Sequence, residues 1–114
     1  MAFSKMELRM IDRTVGGLCR RRSPVQFKDQ LRFVYKTEGH SVFVFEERPY
    51  WRNPSEWIRM GVARFRFTRS RDTWTLYWMR HNGKWHAYDP ETRKGDLSTL
   101  VKIMDEDKYG AFFG

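Results

Sequence analysis

Val62 to Asp89 reads VARFRFTRSRDTWTLYWMRHNGKWHAYD, three runs of aromatic and β-branched residues separated by Arg71-Asp72 and Asn82-Gly83. Alternation between turn-forming pairs predicts three antiparallel strands, at 62–69, 74–80 and 84–89. Asn-Gly is the strongest of the turn signals, because both residues accept the positive φ angles of a type I′ turn. With a two-residue turn at each junction, Phe65 falls opposite Trp78, Phe67 opposite Leu76 and Trp78 opposite Ala87. These side chains share one face, the expected core. Arg64, Arg66 and Thr68, then Thr75, Tyr77 and Met79, then His86 and Tyr88 fall on the other.

Working outward, Gln30 to Glu47 is rich in β-branched and aromatic residues around Glu38-Gly39-His40, which predicts a hairpin with strands at about 30–37 and 41–47. Its register stays open. A turn at Glu38-Gly39 sets Phe33 opposite Val44, and a longer one slides every pair. Arg48 to Trp57 holds Pro49 and Pro54 without a period, so it is expected as a connection with one helical turn capped by Asn53. At the N-terminal end, Ser4 and Glu7 form a capping box with Phe3 and Leu8 as its apolar staple. Leu8, Ile11, Val15 and Leu18 continue at helical spacing, predicting a helix over 5–20 that weakens at Gly16-Gly17. Asp96 caps a second, short helix over about 97–104, after which Phe112-Phe113 should dock in part into the core. The expectation is a single α+β domain over 1–114, a five-stranded antiparallel meander with an N-terminal helix and a short C-terminal helix.

A chain of 114 residues with nine Phe, five Tyr and five Trp has enough apolar bulk for one core without metal or disulfide staples. Cys19 is its lone cysteine, so no internal disulfide is available. Charges arrive too early for a secretory leader, and no run reaches the roughly 18 apolar residues of a membrane span, so a cytoplasmic protein is expected. The net charge of +8 is uneven: +6 over residues 1–36, +4 over 61–90 and −1 in each remaining segment. Basic blocks attract polyanions, although the same charge also serves solubility alone.

The outer face of the three-strand unit carries the most informative constellation. Guanidinium groups beside exposed rings, here Arg64 and Arg66 with Tyr77, Tyr88 and His86, form a surface on which bases stack and phosphates pair. Arg, Thr and Tyr are also ordinary cross-strand pairs on a solvated sheet, and a helix or the tail could cover this face. Arg20, Arg21 and Arg22 form a second basic cluster at the end of the first helix. His40, His81, His86 and Cys19 lack the close paired spacing of a zinc site, so no metal is expected. No glycine-rich phosphate loop is present, and nothing in the sequence brings Glu46, Glu47 and Asp89 to one cleft as a catalytic pair. For Glu46, on the core face, an Arg partner is expected.

Glu47-Arg48-Pro49, Val62-Ala63-Arg64-Phe65-Arg66, Trp74-Thr75-Leu76-Tyr77-Trp78, Lys84-Trp85-His86-Ala87-Tyr88 and the ending Asp107 to Phe112-Phe113-Gly114 together resemble the bacterial family called domain of unknown function 3024. The resemblance covers about residues 24–114. It implies a stand-alone bacterial protein and brings no established activity, cofactor or catalytic residue. The leading functional expectation is a non-catalytic module for single-stranded nucleic acid, without a cofactor. The alternatives are a protein-interaction or self-associating domain using Tyr50, Trp51 and Trp57, and an enzyme of unassigned class.

Overall fold

The computed structural model describes residues 3–88 and 95–114. Five antiparallel strands form one sheet in the order β1-β2-β3-β4-β5: Arg32–Glu38, Ser41–Tyr50, Asn53–Thr68, Thr73–Met79 and Trp85–Ala87. Among the described residues three α-helices accompany it, α1 (Lys5–Ile11), α2 (Gly17–Arg21) and α3 (Leu97–Glu106). This is the expected meander with an N-terminal helix and a short C-terminal one. Asp89 and Pro90, at the expected end of the last strand, lie outside the described residues.

The capping box forms as the sequence predicts: the Glu7 amide donates to Ser4 Oγ at 3.1 Å and the Ser4 amide to Glu7 Oε1 at 2.8 Å. Between α1 and α2 the helix widens into one π-helical turn, Asp12–Gly16, and then runs on. The expected weakening at Gly16-Gly17 is thus a change of pitch. A Cβ on Gly16 would lie 2.7 Å from Asp12 Oδ1 and 3.1 Å from the Tyr35 ring. Glycine there lets Tyr35 reach across the helix and donate its hydroxyl to Asp12 at 2.8 Å.

Ile11, Val15 and Leu18 from the first helices and Leu97, Leu100 and Met104 from α3 are buried with Val42, Val44, Phe65 and Leu76. Burying each such side chain contributes roughly 1.5–3 kcal/mol. All three helices therefore cover one face of the sheet, called the inner face below. The tail docks there too: Phe112 is buried against Tyr88 at 4.9 Å, and Phe113 meets Phe33 edge-on at 5.4 Å. Helix α3 runs two residues past the expected Met104, because Asp107 turns left-handed (φ 46°) and its carboxylate accepts the Phe112 and Phe113 amides.

Strand register corrects the sequence reading at both C-terminal junctions. Between β3 and β4, Thr68 pairs with Thr73, so the turn holds Arg69 to Asp72 and Phe65 faces Leu76. That shift of two leaves every side chain on its expected face. Between β4 and β5, Arg80 N donates to Lys84 O and Gly83 N to Arg80 O, leaving a three-residue loop, His81-Asn82-Gly83, in which Gly83 alone has positive φ (78°). A type I turn closed by a left-handed glycine replaces the expected type I′ turn. The shift is now a single residue, so Trp78 pairs with His86 and the strand is turned over. His86 and Tyr88, expected on the outer face, lie on the inner one. Trp85 and Ala87 take the outer face.

The segment expected as a connection is strand. Tyr50 pairs with Asn53 around a Trp51-Arg52 turn, and β3 runs without a helical turn through Asn53, Pro54, Ser55 and Glu56. The two prolines are accommodated by a register irregularity between Pro49 and Tyr50, where Ser55 N donates to Asn53 Oδ1 at 3.4 Å. A second bulge at Val62 separates Val44↔Ala63 from Phe45↔Gly61. Beyond Glu47 and Gly61, β2 and β3 pair only with each other among the described residues, and form an arm that leaves the core.

Candidate functional site

No described helix or tail residue covers the outer face, and its strands carry a row of rings and guanidinium groups. Cross-strand pairing sets Phe43 beside Arg64 and Arg64 beside Tyr77. The Arg64 guanidinium lies 5.3 Å from the Phe43 ring centre and 5.4 Å from that of Tyr77, and its Nε donates to Ser41 Oγ at 3.0 Å. Further along, Glu47 is buried at 7% exposure between Arg32 on β1 and Arg59 on β3, whose Nε atoms donate at 2.7 and 2.8 Å. Burial pushes the Glu47 carboxyl up, but the two guanidinium groups together hold it below its usual value. Arg32 stacks on Trp57 at 4.0 Å and Arg59 on Phe45 at 4.8 Å.

Two clefts open on this face. One, of about 360 Å³, is lined by Glu38, Gly39, His40, Ser41, Phe43, Arg64 and Arg66. The other, of about 230 Å³, is lined by Lys36, Glu38, Phe43, Phe45, Arg59, Gly61, Met79 and Trp85. Gly61 makes the second cleft possible, since a Cβ there would stand 3.1 Å from both the Trp85 ring and Met79. Glu38 and Phe43 line both clefts, so the two are neighbours.

The sequence-predicted site residues divide between the faces. Arg64, Arg66 and Tyr77 come together on the outer face as expected. Tyr88 packs under Phe112, and His86 stands opposite Trp78 with its Nε2 buried and unpartnered among the described residues. Arg20, Arg21 and Arg22 lie on the helix side, so the sheet separates them from Arg64 and Arg66. Arg20 binds Asp12 at 3.3 Å, Arg22 binds Asp105 at 3.0 Å and covers Phe113 at 3.4 Å, and Arg21 is 3.8 Å from Asp105. Tyr50 and Trp51 stand at the tip of the arm, where Trp51 is 76% exposed, while Trp57 lies under Arg32. Arg80 lies over Trp78, at 5.5 Å, and Trp85 over Gly61.

Sequence reading missed Arg32, Phe43, Phe45, Arg59 and Trp85 as members of this surface. The i, i+2 spacing of Phe43 and Phe45 was a usable signal. Arg59 was hidden because residues 58–61 were assigned to no strand, and Trp85 because a one-residue register error placed it inward.

No helix among the described residues is long and apolar enough to cross a membrane. Among the described residues no group of three or more His, Cys, Asp or Glu side chains could hold a metal ion. Glu46 is paired with Arg48, as its inner-face position required. No curated protein and no solved structure matches the chain. The family model described as domain of unknown function (DUF3024) matches residues 3–114, which adds the N-terminal helix to the resemblance read from the motifs, and the chain belongs to this family.

Proposed function

We propose that the protein is a non-catalytic module that holds single-stranded nucleic acid across the outer face of its sheet. The observation that carries this reading is the cleft in which Arg64 and Arg66 stand together beside Phe43, on a face free of described helices. Rings there stack on bases while guanidinium groups meet phosphates. Five outward basic groups, Arg32, Lys36, Arg59, Arg64 and Arg66, stand against two outward carboxylates, Glu38 and Glu47. A cytoplasmic setting is part of this proposal.

The test is fluorescence anisotropy of labelled single strands across a salt series. Binding should weaken steeply with salt, and Arg64→Ala with Arg66→Ala should lower the log–log slope by about 1.4, roughly 0.7 per lost phosphate contact. Unchanged affinity and slope in the double variant would remove this face from consideration.

A second reading, a protein-interaction or self-associating arm, is favoured by the 76% exposure of Trp51 with Met60 at 58% and Ile58 at 42% on the same hairpin. Trp51→Ala would then abolish association seen by sedimentation while leaving oligonucleotide binding intact.

A further inference from the structure

We infer that the smaller outer cleft is a seat for a single nucleobase and that Glu38 makes it select guanine. This rests on the reading of the outer face as a nucleic-acid surface and adds which base it takes. The cleft, about 230 Å³, is below the roughly 300 Å³ at which drug-sized sites begin, so it suits one flat ring system. Its walls are aromatic. Phe43 and Phe45 stack nearly parallel, 18° apart at 6.2 Å, and Phe43 lies 5.9 Å from Trp85.

The charged groups on this face are not equivalent. Arg32 and Arg59 are committed to Glu47, while Arg64 gives only its Nε to Ser41 and keeps its terminal nitrogens for a phosphate. Lys36 and Glu38 make no ion pair or side-chain hydrogen bond among the described residues, and both line the seat. They sit two residues apart on β1, about 6.6 Å along the strand. Glu38 also lines the neighbouring cleft of Arg64 and Arg66, so a base in the first cleft would place its phosphate toward the second.

A carboxylate offers two acceptors side by side and no donor. Of the four bases, guanine alone presents two adjacent donors on its Watson–Crick edge, N1–H and the N2 amino group. Cytosine and adenine present one donor beside a ring acceptor, which the carboxylate repels. Thymine and uracil place their single donor between two carbonyls. A Glu38 bidentate contact therefore favours guanine, with the base laid against the rings and the phosphates on Arg64 and Arg66.

The experiment uses the whole chain and short oligothymidylates carrying one central guanine, adenine or cytosine, with the all-thymine strand as reference. Guanine should bind about tenfold tighter than thymine, toward the low end of bidentate discrimination. Glu38→Gln is a surface change that leaves the fold intact. It should erase the guanine advantage while slightly strengthening binding of the all-thymine strand, because a negative charge is removed. If all four strands bind equally, if another base is preferred, or if the variant keeps the preference, the base seat is wrong while the nucleic-acid reading stands. If no strand binds the wild-type protein at low salt, that reading and this inference fail together.

Discussion

Glu47 is the buried anion around which the outer face is arranged, yet the sequence drew attention to Glu46 instead. Neighbouring acids at a strand end cannot be ranked until the register is known, because what protects Glu47 comes from two other strands. Arg32 and Arg59 reach it from β1 and β3, and neither is close in sequence. Glu46 needs only Arg48, two residues on, which is why its partner could be anticipated. Glu47→Gln should cost about 1.5–3 kcal/mol at neutral pH, the usual worth of hydrogen bonds to charged groups, measured by chemical denaturation. The pH dependence has a definite sign. The folded carboxyl lies below its ordinary 4.5, so the native state holds fewer protons than the unfolded chain. The contribution is complete above about pH 4.5 and is lost as pH falls through the folded value. The gap between wild type and variant should therefore narrow on acidification. A gap that widened would mean the guanidinium pair does not govern Glu47.

Loop length is the quantity at the level of elements that the sequence states least clearly. Arg69 to Asp72 and His81 to Gly83 each contain a turn-forming pair, but neither pair spans its loop alone. An error of two residues at the first loop was harmless to face assignment, whereas an error of one at the second exchanged inside for outside. Phe65, Phe67, Leu76 and Arg64 were thus legible, and His86, Tyr88 and Trp85 were not. The arm around Pro49 and Pro54 was lost for another reason, since two paired strands outside the core tolerate prolines that a central strand would reject. Replacing Tyr88 by alanine offers a direct check. It would strip the ring that packs on Phe112 at 4.9 Å only because β5 has the observed register, costing about 3 kcal/mol, the scale of removing a buried aromatic. Gly83→Ala should cost only about 1 kcal/mol, for forcing a side chain into φ 78°. Equal losses in the two variants would mean that Tyr88 contributes little to the core.

At the scale of the whole molecule, totals pointed to one core and an excess of positive charge but not to where that charge lies on the fold. The cluster Arg20, Arg21 and Arg22 and the pair Arg64 and Arg66 end on opposite sides of the sheet, and ion pairs with Asp12 and Asp105 engage the first three. Only the topology separates the two, and it leaves the outer surface to Arg64, Arg66 and their neighbours. The same topology gives the protein its elongated outline, 45 × 31 × 24 Å. The Trp51-Arg52 turn joins two strands that are already zipped together below it, so chain continuity at that point adds little beyond keeping the halves near each other. Fragments 1–52 and 53–114, produced as separate polypeptides, should reassemble on mixing into a native-like complex. Its melting temperature would fall on dilution, as that of any two-chain assembly must.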